Sequence, residues 1–131
     1  MRPPIDESEW PLVTVRWEGQ VSDAAIAAFL FKMDEWLQRG ERFALLIDSR
    51  GAHGMSPEQR SRVIAHMQQQ AHLTERFLVQ AIVLDSLMQR TLFWGINLVF
   101  RNPFPSKVFA SVGEAKLWLT TSLAEAPQST R

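Results

Sequence analysis

The sequence predicts an α/β fold: a mostly parallel sheet with about four covering helices and right-handed crossovers. Three observations carry this expectation. Short β-branched or apolar runs alternate along the chain with segments of helical periodicity. Three of the helical segments open on a serine followed three residues later by Gln or Glu, the capping-box pattern: Ser56/Gln59, Ser86/Gln89 and Ser111/Glu114. No internal repeat or low-complexity linker divides the 131 residues, so they read as one domain able to bury most of its apolar surface.

The elements follow in order. PLVTVRW (11–17) alternates as a strand should, with Val13, Val15 and Trp17 on one face and Leu12, Thr14 and Arg16 on the other; Gly19 is expected to end it. Ser22 caps the next helix, with Asp23 in the first turn where a negative charge suits the dipole. Ile26, Leu30, Met33 and Leu37 form its inward stripe, widened by Phe29 and Trp36, and Gly40 stands at the left-handed C-terminal position. RFALLID (42–48) is continuously apolar, which suits a strand covered on both faces. A glycine-containing turn, SRGAHG, is expected to lead from Asp48 to a helix starting at Ser56-Pro57, with Val63, Ile64, Met67 and Ala71 inward. FLVQAIVLD (77–85) is the next core strand, and a helix is expected from about 87 to 100. NPFPS breaks the chain, KVFA (107–110) is a short strand, and Ser111 opens a last helix with Val112, Ala115, Trp118 and Leu119 on one side. Residues 125–131 are expected to fray.

Composition narrows the functional classes. Acidic and basic residues balance at fourteen each, so there is no surplus of positive charge for a nucleic-acid face. The absence of cysteine rules out thiol nucleophiles, disulfides and thiolate metal sites. MRPPIDESEW lacks the apolar core of a secretory signal, and LFWGINLVF, interrupted by Gly95 and Asn97, is about half a membrane span. A cytoplasmic location is expected, with no membrane span.

The segments GQVSDAAIAAF…FALLIDSRGAHGMSP, AIVLDS and VFASVGEAKLWL resemble the STAS-type domains (SpoIIAA-like, STAS/SEC14-like), a family of small bacterial domains, over residues 5–124. IDESEWPLV stands where such domains place a short first strand. The resemblance implies a mixed four- or five-stranded sheet and a non-enzymatic role in binding partners or small ligands. In the anti-sigma-factor antagonist branch a serine at the start of the helix after the D-x-S strand end is phosphorylated. With Asp48 aligned to that aspartate, Ser56 falls on the acidic residue before the acceptor and Pro57 on the acceptor; a one-residue shift puts Ser56 on it. The D-S-S-G signature of the branch is absent.

Candidate sites follow from residue types. The Ser56 helix start, with Arg50, His53 and Arg60 near it in sequence, is a candidate phosphorylation or anion site, since first-turn N–H groups attract anions. The alternative, a capped turn, is favoured, because caps are far commoner than switches. His53, His66 and His72 have no HxH or HExxH spacing and no acidic cluster, so they read as solvated or locally bonded rather than as metal ligands. Asp48 and Asp85 both end strands and could meet near one edge of the sheet as an acid/base pair, but no nucleophile elbow accompanies them, so no catalytic residue, metal or cofactor is expected. The helix after Ser86 is the anomaly. Only Arg90 and Asn97 make a polar wedge; Leu87, Met88, Leu92, Phe93, Trp94, Ile96, Leu98, Val99 and Phe100 occupy most of its circumference, more than one sheet can cover. The cover could be the neighbouring helix and NPFP turn, a second copy of the chain, or an apolar or lipid-like ligand. The expected function is a non-catalytic protein-interaction or regulatory domain that self-associates, as a dimer by preference, through Phe93, Trp94, Ile96, Leu98, Val99, Phe100 and Phe104.

Overall fold

The computed structural model describes residues 4–86 and 104–125. It contains one five-stranded sheet whose spatial order follows the chain: β1 (Ile5–Glu9), β2 (Leu12–Gln20), β3 (Phe43–Gly54), β4 (Leu78–Val83) and β5 (Ser106–Phe109). β1 is antiparallel to β2, and β2 to β5 are mutually parallel, so the sheet is mixed and mostly parallel. α1 (Asp23–Gln38) joins β2 to β3, α2 (Pro57–Gln69) and α3 (Ala71–Phe77) lie between β3 and β4, and α4 (Val112–Ala124) follows β5.

Strand alternation builds two cores. Val13, Val15, Trp17, Phe43, Leu45, Ile47, Leu78 and Ile82 face α1, whose Ile26, Phe29, Met33, Trp36 and Leu37 are buried against them. Leu12, Ala44, Leu46, Val79, Ala81 and Val83 face the other way, onto Ala115 and Leu119 of α4. The expected two-sided burial of the central strands therefore holds: residues 43–48 of β3 and all six residues of β4 are buried. Each of the three described caps forms, with Ser22, Ser56 and Ser111 accepting the backbone N–H of Ala25, Gln59 and Glu114. Gly40 takes φ +72° just past α1, a conformation open to glycine at no steric cost.

Strand β4 is Leu78–Val83 within the expected 77–85, β5 is Ser106–Phe109 against 107–110, and three further boundaries differ in ways that matter for the site. β2 does not stop at Gly19, and β3 does not stop at Asp48. The two strands go on pairing through Glu18–Gly51, Gly19–Ala52 and Gln20–Gly54, with register shifts between Arg16 and Glu18 and between Gly19 and Gln20. Gly19 (φ +63°) and Gly54 (φ +105°) absorb the irregularity, so glycines that read as turn signals are bulge residues in a longer ladder. The helix starting at Pro57 ends at Gln69 rather than running to Ala71. Gln70 leaves helical angles (φ −105°, ψ 22°), and Ala71 begins a separate short helix. Of the residues expected inward, Met67 is buried and Val63 packs partly against the same core.

The helix expected over 87–100 lies outside the described residues, as do residues 126–131 of the tail. Phe104, placed at sequence level in a partner or ligand surface, is 5 % exposed and belongs to the α1-side core. Its ring is enclosed by this chain's own residues. Among the described residues, no helix is long and apolar enough to cross a membrane.

Candidate functional site

Ligands of open α/β sheets gather at the carboxyl ends of the parallel strands, and here that end is built around Asp48. Parallel register sets Asp48 between Arg16 of β2 and Val83 of β4. Alternation points it to the α4 side with Ala44 and Leu46, and it is 3 % exposed. A carboxylate this buried needs partners, and arginines supply them. Arg50 donates from Nε to Oδ1 at 2.9 Å and from Nη2 to Oδ2 at 2.8 Å, and its backbone N–H reaches Oδ1 at 3.2 Å. Arg16 Nε lies 3.5 Å from Oδ2. The bidentate fork is the strong form of this contact.

The electrostatics follow from that geometry. The Arg50 hydrogen bonds hold the Asp48 carboxyl below its ordinary range, against the opposing effect of burial. Asp48 in turn raises Arg50, with a smaller contribution from Asp85. Three hydrogen bonds from Arg50 and the longer Arg16 ion pair engage both oxygens of the carboxylate, an arrangement that favours an ionised Asp48 held as a structural anchor. Of the two acids considered as a pair, Asp48 is buried and engaged by arginines, whereas Asp85 is exposed and contributes to the site through its charge on Arg50.

Ser56 is at the same end of the sheet but tops α2, which packs on the opposite face. Its Oγ accepts the Gln59 N–H at 3.0 Å, and Gln59 Oε1 accepts the Ser56 N–H at 3.0 Å. The buried Gln59 amide then donates to the Val21 carbonyl and to Asp23 Oδ1, both at 2.9 Å, tying the start of α2 to the start of α1. Of the four residues grouped at sequence level, Arg50 is turned to Asp48, Ser56 to Gln59, His53 is exposed and Arg60 half-buried. The structure does not bring Arg50 and Ser56 together, because residues 49–54 are strand rather than a loop folding back on the helix start.

His66 is locally bonded, as the sequence suggests: its Nε2 lies 2.8 Å from Asp34 Oδ1 on α1, beside Gln70 Nε2 at 3.2 Å. Among the described residues no group of three or more His, Asp or Glu side chains could hold a metal ion.

Sequence reasoning missed a second polar cluster at the opposite end. Glu7 of β1 accepts from the indole of the buried Trp36 at 2.9 Å and pairs with Lys32 at 2.8 Å and Arg39 at 3.4 Å. The Lys32 and Trp36 hydrogen bonds lower the Glu7 carboxyl pKa. Trp10 donates to Glu41 at 2.7 Å, stacks on Phe43 at 5.5 Å and carries the Arg39 guanidinium 4.0 Å above its ring. Only an acidic first strand opposite a Trp- and Lys-bearing helix hinted at this, and spacing alone does not reveal it. Two large apolar side chains are exposed among the described residues, Phe31 at 65 % and Leu117 at 70 %, on helices covering opposite faces.

Comparisons with known proteins agree with this architecture. The SpoIIAA-like family matches over residues 12–120. An uncharacterized protein of the DUF3478 family with a SpoIIAA-like fold, from Shewanella loihica PV-4, is similar at TM-score 0.66 and 17 % identity, covering 88 % of this chain and 89 % of that one. The anti-sigma factor antagonist SpoIIAA in its unphosphorylated form is similar at TM-score 0.62 and 14 % identity, covering 88 % and 96 %. A search of curated proteins found no match.

Proposed function

Because the chain belongs to the SpoIIAA-like family, we propose that it is a non-catalytic regulatory domain of the cytoplasm that works by binding protein, and that its partner is a second copy of itself. The observation that carries the non-catalytic reading is the state of Asp48. The acid best placed for chemistry at the carboxyl end of the sheet is saturated by Arg50 and Arg16, so its role is to fasten β2 to β3. A fold whose strand-end acid is spent on structure is suited to presenting surfaces.

Self-association rests on the apolar excess of residues 87–100. The sequence places Phe93, Trp94, Ile96, Leu98, Val99 and Phe100 there with too few polar neighbours for a helix lying on one sheet. Light scattering on the purified protein tests this. A dimer that Trp94→Glu converts to a folded monomer is the expected result; a wild-type monomer that stays soluble at high concentration overturns it.

The same excess supports an alternative, an apolar or lipid-like small molecule held by that segment. Native mass spectrometry of protein purified from cells distinguishes the two, since a ligand adds a co-purifying mass and a dimer doubles the chain mass. A phosphorylation switch at Ser56 is the weaker alternative. The hydroxyl sits at a helix start that would stabilise a phosphate, but it is already engaged as a cap.

A further inference from the structure

The first strand is attached differently from the three central strands, β2 to β4. None of the five residues of β1 is buried, whereas β3 and β4 contribute unbroken buried runs. Ile5 is its one apolar residue, packed partly against the α1-side core. What holds the strand down is charge. The Glu7 carboxylate reaches across to α1 and meets Trp36, Lys32 and Arg39 there. The surrounding charges are Glu35, which shares Lys32; Glu41, which holds the Trp10 indole; and Lys116 of α4, 3.5 Å from Glu9. The pairing with β2 is irregular as well, with a register shift between Asp6 and Glu9.

We propose that β1 is a strap, fastened by the Glu7 carboxylate, that opens as a unit while the sheet from β2 to β5 stays folded, and so gates the backbone edge of β2. Segments with few buried apolar contacts and solvent-exposed hydrogen bonds open sub-globally. β1 meets that description, and β2, to which it pairs, does not. Opening frees the outward donors and acceptors of β2, including the Arg16 N–H that donates to the Pro4 carbonyl at 2.8 Å. It also uncovers the Trp36 indole edge. Because Lys32 and Glu7 are partly in water, the fastening weakens as salt rises.

Amide hydrogen exchange tests this on the whole chain. The Arg16 amide reports the strap, and amides between β3 and β4 report the core. In the wild type the Arg16 amide should exchange at least about a hundredfold faster than the core amides. Glu7→Gln keeps an acceptor for the Trp36 indole but removes the charge, and should speed Arg16 exchange about tenfold without moving the core amides. High salt should speed it in the wild type and have little effect in Glu7→Gln. Asp34→Asn, which alters a contact between α1 and α2, serves as the control and should leave Arg16 unchanged. The proposal is overturned if Arg16 exchanges at the core rate in the wild type, or if Glu7→Gln accelerates strap and core together. Should Glu7→Gln fail to fold, the salt series on the wild type decides by itself.

Discussion

Replacing Arg50 by Met keeps most of the aliphatic stem and removes the fork from Asp48. Two charge-assisted bonds of 2.8 and 2.9 Å disappear, leaving a carboxylate that is 3 % exposed with one backbone N–H and the longer Arg16 contact at 3.5 Å. Breaking a fully buried ion pair costs about 3–5 kcal/mol. The Arg50 side chain is 42 % exposed, so water replaces part of what is lost, and a destabilisation of about 2 kcal/mol is expected. Urea unfolding followed by tryptophan fluorescence measures it, with an unchanged slope confirming that stability alone has moved. The sign with pH is fixed by the direction of the shift. Asp48 is held low in the folded state, so its stabilisation is present above the ordinary carboxylate range and lost as pH falls through the folded value. The gap between wild type and Arg50→Met should therefore narrow on acidification. Asp48→Asn combined with Arg50→Met should cost less than the sum of the single changes by at least about 1 kcal/mol. Additive single changes, or a gap that widens in acid, would refute the view that Asp48 is an ionised anchor.

Other expectations concern separate parts of the molecule. Ser56→Ala should cost about 1 kcal/mol by loss of the cap, and Gln59→Ala more, because that amide also serves Val21 and Asp23; chemical denaturation compares them. Leu46→Ala, at a fully buried position of β3 facing α4, should cost about 2–5 kcal/mol by the same measurement. Phe31→Glu alters an exposed side chain, so a stability change within about 0.5 kcal/mol is expected in thermal melts.

The type and order of β2 to β5, α1, α2 and α4 were legible because each carries its own local signal, whereas β1 was placed only by the family resemblance and α3 was not foreseen. The alternation of Val13, Val15 and Trp17, the continuous run from Phe43 to Asp48 and the Ser22, Ser56 and Ser111 caps all translate directly into local structure. The lengths of β2 and β3 were not legible, because Gly19 and Gly54 carry the same signature in a bulge as in a turn, and only a partner strand decides between them. The break at Gln70 was hidden for a related reason: Gln68, Gln69 and Gln70 offer no apolar period either to continue a helix or to end it. The strand-end aspartate stood out, but its partners did not. Arg50 was grouped with Ser56 because a loop was expected between them, and once residues 49–54 are strand the pleat turns the guanidinium to the other face. Arg16 became a partner only through interstrand register, a long-range fact absent from any single window.

The consecutive strand order also bears on how the polypeptide is made. Each strand leaving the ribosome can zip onto the one just before it, so the sheet can grow outward from its first hairpin. The side formed by Leu12, Ala44, Leu46 and Val79 must nevertheless wait for Ala115 and Leu119, which follow the last strand. Until those two residues emerge, this wall stands without its α4 cover, and a chain interrupted at Ala110 would never acquire it.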